Sequence, residues 1–295
     1  MKLSLLSAVR NESAHIREMI DSAIAQSHSD WELLFVDDGS TDDTVAVIEE
    51  AAAVDPRVRL VARQQAQGKV SAFNKAFDAA TGDVLCIQGG DDVVPPGAFA
   101  ARMQPFQAGH EGGRLALFKL RTFSDDPKFD GMVLPKGAAS SRSGGSLTMS
   151  KDLAARAFPI PESLVAEDIW LAVALEALAT SVVERPDIVL NYRIHAGNSN
   201  PRGKPFPVMT EASHARMLAY RELLDSDLPL TADQQRLCRA RLDMEEYRYE
   251  GPAWRILTVR EASLIDRLAA LSASNPAFFA VRTRFYRLFS GRRGA

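Results

Sequence analysis

Cysteine is scarce in this chain of 295 residues: Cys86 sits in an apolar run and Cys238 in a helical stretch, and there are no others. Two cysteines so placed supply neither a disulfide framework nor zinc-ligand spacing, which fits a reducing compartment and packing roles for both. An excess of either charge is also missing. Against 38 Asp and Glu stand 35 Lys and Arg, a formal net charge of -3, so a globally basic nucleic-acid binder is excluded and no nucleic-acid partner is expected. No run approaches the ~20 apolar residues of a membrane span. The amino terminus, MKLSLLSAVRNE, carries one Lys and a short apolar run without a small-residue cleavage pattern. It does not read as a signal peptide, and a cytoplasmic location is expected.

What remains is ordinary for a globular protein, with 46% hydrophobic and 25% charged residues. The length allows one large core, or one of about 200 residues with a smaller appendage. Over the first half, strand-like runs (LSLLSAV, WELLFV, RVRLVA, DVLCIQ) alternate with helical patterns at 14–26, 42–54 and 69–80. Apolar runs that do not alternate with polar residues predict strands buried on both faces of a mostly parallel sheet, hence an α/β class. Ligands of such sheets gather at the carboxyl ends of the strands. From 124 to 146 a polar loop rich in Gly, Ser, Lys and Asp has the character of a lid or binding loop. Beyond about 208 the pattern is helical throughout, so a sheet domain over 1–199 and a helical region over 200–295 are expected.

Two strand ends carry paired carboxylates. FVDDGSTDD stops an apolar run on Asp37 and Asp38, and VLCIQGGDD stops another before Asp91 and Asp92. Uncompensated charge at the end of a buried strand is expensive. Ser40 or Thr41 capping a helix that opens on Asp42 and Asp43 would explain part of the first stretch. The Asp pair itself calls for something it binds. Hard divalent cations take carboxylate oxygens and share them with substrate phosphates, which suits the second pair. Taken alone, that pair is equally well read as a tight turn in which Asp92 caps the next helix.

In order and in spacing, WELLFVDDGSTDDT, GKVSAFNKAFDAATGDVLCIQGGDD, AEDIWLA and YRIHAGNSN resemble the inverting family-2 glycosyltransferases of the GT-A fold, over about residues 1–199. The resemblance implies a GT-A-like, mostly parallel sheet flanked by helices, with a helical carboxyl-terminal extension. It also implies a nucleotide-sugar donor, most naturally a UDP-sugar, a carbohydrate or glycolipid acceptor, and Mn or Mg as cofactor. In that scheme Asp38 accepts the imide N–H of uracil, with Asp37 beside it, and Asp91 lies near the ribose. Asp92 holds the metal on the diphosphate, with His195 close to either. Lys69, after Gly68 at a helix start, reads equally as a contact to donor phosphates or as a solvated lysine, and Arg193 and Ser199 are weaker phosphate or acceptor candidates. Asp168 takes the place of the general base and Glu167 orients the site.

The chain departs from the family pattern at two points. The first strand ends SAVRNE, so Ala8 and Arg10 stand where a Pro-x-Tyr-like segment is usual, and Arg10 would stack on the base or pair with phosphate. Gly89 replaces the outer Asp of the usual metal motif. Two other enzyme classes lack their signature, because SAVRNESAHI contains no glycine. That counts against a nucleotidyltransferase phosphate loop and against the G-x-G-x-x-G of a dehydrogenase. A non-catalytic nucleotide- or sugar-binding module remains as a rival. The last segment, NPAFFAVRTRFYRLFSGRRGA, combines Phe278, Phe279, Phe285 and Phe289 with Arg282, Arg284, Arg287, Arg292 and Arg293. Such a segment either packs on the domain or lies peripherally on an anionic membrane face. Trp254, Tyr247 and Tyr249 are expected in the core.

Overall fold

A computed structural model describes residues 1–108, 112–195 and 205–284. The first half alternates as the pattern predicts: β1 (Leu3–Val9), α1 (Ile16–Ile24), β2 (Trp31–Asp37), α2 (Thr44–Val54), β3 (Val58–Arg63), α3 (Lys69–Asp78), β4 (Val84–Ile87) and α4 (Ala98–Gln107). There follow β5 (Arg114–Phe123), β6 (Val133–Leu134), β7 (Leu147–Ser150), α5 (Lys151–Ala157), α6 (Asp168–Leu178) and β8 (Ser181–Arg193). The rest is helical: α7 (Phe206–Met217), α8 (Ala219–Asp225), α9 (Ala232–Tyr249), α10 (Leu264–Leu271) and α11 (Pro276–Arg284), with a short 3-10 segment at Ala253–Thr258.

All eight strands form one sheet in the order β3-β2-β1-β4-β7-β5-β6, with β8 also paired to β5. The first four strands are mutually parallel, β7 and β6 run antiparallel to their neighbours, and β8 is parallel to β5. Successive side chains of the parallel strands enter opposite cores. Leu33 and Phe35 pack with Ile16, Ile20 and Phe99 on one face, whereas Leu34 and Val36 pack with Phe73, Leu171 and Leu175 on the other. Full burial of each such side chain contributes about 1.5–3 kcal/mol. This is why the runs are continuously apolar rather than alternating.

The helical third does not stand apart. Ala219, Leu223, Leu230 and Cys238 belong to the same apolar cluster as α6, while Ala240, Met244, Ile256, Val259 and Ala262 form a cluster of their own. The expected boundary at 199/200 lies outside the described residues. Both cysteines are buried and free, as packing residues should be. Trp254 corrects the expectation of a core residue, being 62% exposed. Tyr247 packs partly buried against the second carboxyl-terminal cluster, and Tyr249 stacks on His214 with ring centroids 3.8 Å apart.

Candidate active site

Parallel pairing brings the carboxyl ends of β1 to β4 to a single edge. Val9 is in register with Asp37, and Asp38 N donates to Val9 O at 2.9 Å. The chain then turns through Gly39 at φ +82, where a Cβ would stand 3.1 Å from Ala66 N, so a side chain fits neither the backbone nor the space. Both acids are buried and both have protein partners. Ser40 N donates to the Asp37 carboxylate at 3.2 Å, with Arg63 Nε 4.0 Å away. Gln64 Nε2 donates to Asp38 Oδ1 at 2.7 Å, and Gly68 N donates to the same carboxylate at 3.1 Å. An ionised carboxylate offers about four lone-pair sites, so Asp38 keeps capacity for a further donor.

The second acidic pair is held by a later strand. Val93 and Asn191 exchange two backbone hydrogen bonds at 3.0 and 2.8 Å, which pins the turn after β4 to β8. Arg193 reinforces the link. Its N–H donates to Asp92 Oδ1 at 2.9 Å, its Nε to Asp91 O at 2.7 Å, and its guanidinium pairs with Glu18 and lies over Phe123. His195 Nε2 stands 3.0 Å from Asp91 Oδ2, and His15 meets the His195 ring edge-on at 4.8 Å. Burial, then Asp91, pushes the Asp92 carboxyl well above the usual range. Glu12, just past β1, belongs to the same group. Burial and the charges of Asp91 and Asp42 push its carboxyl up to about 7. A Cβ on Gly89 would come 2.7 Å from Asp92 Oδ2 and 3.0 Å from Asp91 Oδ1. The glycine in place of the outer Asp is thus what lets the two carboxylates converge.

At the start of α6, Glu167 is 4% exposed and accepts from Lys69 Nζ at 3.0 Å, while its Oε2 is buried with no partner. Burial works against the charge of Lys69, but Glu167 and Asp168 outweigh it and raise its pKa. Asp168 Oδ1 accepts from Ile169 N at 3.0 Å, and Oδ2 is bonded by Arg216 of α7. Lys69 connects the two halves of the site, since its charge also acts on Glu12 and Asp92.

The edge therefore assembles Asp37, Asp38, Lys69, Asp91, Asp92, Glu167, Asp168 and His195. Ala8 lies half-buried near the end of β1, and Arg10 is exposed on the loop beyond it. Ser199 falls outside the described residues, as do Phe285, Arg287, Phe289, Arg292 and Arg293. Two local expectations are corrected. Helix α2 starts at Thr44, so neither Ser40 nor Thr41 caps it; Asp42 instead accepts from Thr44 N and from Ser13 N, both at 3.1 Å. Asp92 caps nothing either, because α4 begins six residues later, after Gly97. Sequence reading missed Glu12, Gln64 and Arg216. Glu12 had a usable signal, an acid just past a strand end in an α/β sheet. Arg216 had none, being one arginine among many in a helical stretch.

Asp92, Asp91 and His195 fit a hard divalent cation. Oxygen and imidazole donors converge around a glycine whose missing side chain leaves the space, and burial together with the neighbouring Asp91 drives the Asp92 carboxyl toward protonation. Among the described residues no three such side chains gather closely enough to hold an ion alone. That matches a site completed by the oxygens of a diphosphate.

Residues 4–133 match the sequence model of the family described as Glycosyl transferase family 2. An uncharacterized glycosyltransferase of Nostoc sp. is 37% identical over 107 residues, 36% of this chain and 33% of that protein. An O-antigen biosynthesis protein of Myxococcus xanthus is 35% identical over 100 residues, 33% of this chain and 8% of the relative. Over residues 4–133 the chain is similar to family-2 glycosyltransferases. The chain thus spans a third or less of the length of these curated relatives. The fold around this matched region is GT-A-like. S. aureus TarS 1-349 in complex with UDP-GlcNAc superposes with a TM-score of 0.62 at 16% identity, covering all of this chain and 89% of that one. A mannosyltransferase from Pyrobaculum calidifontis in complex with GDP-Man and Mn2+ gives 0.60 at 18% identity, over 97% of this chain and 79% of its own.

Proposed function

We propose that this protein is a divalent-metal-dependent, inverting glycosyltransferase that moves a sugar from a nucleotide-sugar, preferentially a UDP-sugar, to an acceptor hydroxyl in surface-polysaccharide or glycolipid synthesis. The observation that carries the reading is the position of Lys69. It is paired with Glu167 beside Asp168, and its charge reaches Glu12 and Asp92 on the donor side. One edge of the sheet thus carries an acidic, cation-ready group and a separate carboxylate at the head of a helix.

In this reading Asp38 accepts the pyrimidine N–H with its remaining lone pairs. The exposed Arg10 stacks on the base or meets phosphate, with Asp37 and Ala8 forming the floor. Asp91 contacts the ribose. Asp92 and His195 would hold the metal, which when bound stabilises charge on the departing diphosphate. Asp168 takes the proton of the acceptor hydroxyl as that oxygen bonds to the anomeric carbon. The carbon–oxygen bond to the diphosphate breaks on the opposite face, its electron pair leaves with the nucleotide, and the configuration inverts.

The test is a calorimetric screen of UDP, GDP, CMP, dTDP and NAD with and without Mn, followed by transfer assays on Asp168→Asn. Metal-enhanced binding of UDP alone, with transfer lost but donor binding kept in the variant, is the expected result. A protein that binds no nucleotide is not this enzyme.

The carboxyl-terminal helices support a second element of the reading. Leu264, Ile265 and Leu268 of α10 and Phe278 and Val281 of α11 are each at least half exposed, and Trp254, Arg255, Arg260 and Arg284 of the same carboxyl-terminal segment are exposed too. Exposed apolar groups and arginines in one segment are suited to an anionic lipid face, so the protein is proposed to sit peripherally on the inner membrane surface. Among the described residues no helix is long and apolar enough to cross it. Sedimentation with anionic but not neutral vesicles is expected, weakened by Leu268→Glu. Equal sedimentation of both forms would dismiss the idea.

A further inference from the structure

Arg216 is the one residue of α7 that reaches the carboxylate proposed as the base, across 48 positions of sequence. With Ile169 N on the other oxygen, both sides of the Asp168 carboxylate are engaged. The pair is not sealed in the core: the Asp168 and Arg216 side chains are 26% and 24% exposed. The Arg216 Nε is nevertheless buried with no acceptor, so the guanidinium is only partly satisfied by Asp168. A second cation stands close by. Lys69 feels the charges of both Asp168 and Arg216. One position along from Asp168, Glu167 Oε2 is buried without a donor.

A neutral acceptor hydroxyl can still use a remaining lone pair of the carboxylate, but it shares Oδ2 with a charge-assisted hydrogen bond and offers the guanidinium no anionic partner in return. An anionic acceptor compensates, because its oxyanion replaces the carboxylate as the partner of Arg216. The planar fork of arginine matches phosphate and carboxylate equally well. We propose that Arg216 marks an acceptor subsite for an oxyanion, so that an acceptor carrying a phosphate or carboxylate beside its reactive hydroxyl draws the guanidinium off Asp168 and frees that base. This rests on the assignment of Asp168 given above. The bonds made and broken in transfer are unchanged; only the partner of Arg216 is exchanged.

The test uses the full chain without donor or metal, titrated calorimetrically at constant ionic strength. The probes are inorganic phosphate and methyl glucuronide, with methyl glucoside as the neutral control. Either oxyanion should bind about tenfold more tightly than the glucoside, the scale of one charge-assisted hydrogen bond. The tighter of the two identifies the group. Arg216→Gln should lose that advantage, bringing oxyanion and glucoside affinities together, and Arg216→Lys, which keeps the charge and guards against a folding defect, should retain part of it. Asp168→Asn should tighten oxyanion binding several-fold, since it removes the competitor; a purely structural pair would not respond in this way. Oxyanions that bind no better than the glucoside, or equally well to Arg216→Gln, overturn the proposal. Failure of the base assignment would appear separately, as sugar transfer surviving in Asp168→Asn.

Discussion

Lys69 Nζ stands 3.0 Å from Glu167 Oε1, joining the head of α3 to the head of α6 across 98 residues. The carboxylate is buried and the amine partly exposed, so removing either partner leaves unequal damage. Lys69→Met should lower stability by about 1–3 kcal/mol, because it strands a buried carboxylate whose second oxygen already lacks a donor. Glu167→Gln in the same background should recover part of the loss. Urea denaturation of the two single variants and the double variant measures the coupling. A coupling near zero would mean the pair is incidental.

Gly89→Asp restores the carboxylate that the family motif usually has, and the geometry predicts harm. The new Cβ would lie 2.7 Å from Asp92 Oδ2 and 3.0 Å from Asp91 Oδ1, forcing like charges apart. A destabilisation of about 1–3 kcal/mol is expected, together with weaker Mn-dependent binding of nucleotide. Thermal melts with and without Mn check both, and a variant that binds metal more tightly would refute the steric account.

Asp92→Asn keeps an oxygen for the Arg193 N–H but removes a buried charge set beside Asp91. The metal-free protein should gain about 1 kcal/mol of stability, while stabilisation by Mn with UDP disappears. Differential scanning calorimetry with and without the ligands reads the two opposite effects. Loss of stability without ligands would show that Asp92 is structurally required.

Glu32 predicts a pH dependence far from the site. Burial opposes its ionisation, yet hydrogen bonds from Lys2 Nζ, Ser4 Oγ and Thr81 N prevail and hold the carboxyl at about 2 instead of 4.5. A depressed carboxyl contributes its full stability above the unfolded value and loses it as pH falls from about 4.5 to about 2. The contribution is about 3 kcal/mol. Guanidinium denaturation of the wild type and Glu32→Gln at pH 6 and pH 3 should show a gap between them that narrows at the lower pH. A gap that stays constant would rule out the linkage.

The parallel half of the sheet was legible because its strands are buried on both faces, so Leu33 to Val36 read as one apolar run. The acids at strand ends were legible for the opposite reason: Asp37, Asp38, Asp91 and Asp92 interrupt such runs abruptly. Partners supplied from a distance were not. Gln64, which bonds Asp38, and Arg216, which bonds Asp168, are polar residues in ordinary polar surroundings, and only the folded chain shows what they touch. The cap of α2 was misplaced because Asp42 satisfies Thr44 N from outside the helix, a job open to several nearby residues. Trp254 was expected in the core, but the 3-10 segment it belongs to turns it toward solvent.

The two hydrogen bonds between Val93 and Asn191, with that from Arg193 N to Asp92 101 residues away, carry a consequence for synthesis on the ribosome. The Gly-Gly-Asp-Asp turn emerges long before the strand that fastens it, and residues 4–133 end before that strand begins. The nascent chain can therefore complete four parallel strands while the acidic turn still lacks its clasp. Competence to bind a donor should arrive late and abruptly, when the segment through Arg193 has cleared the exit tunnel.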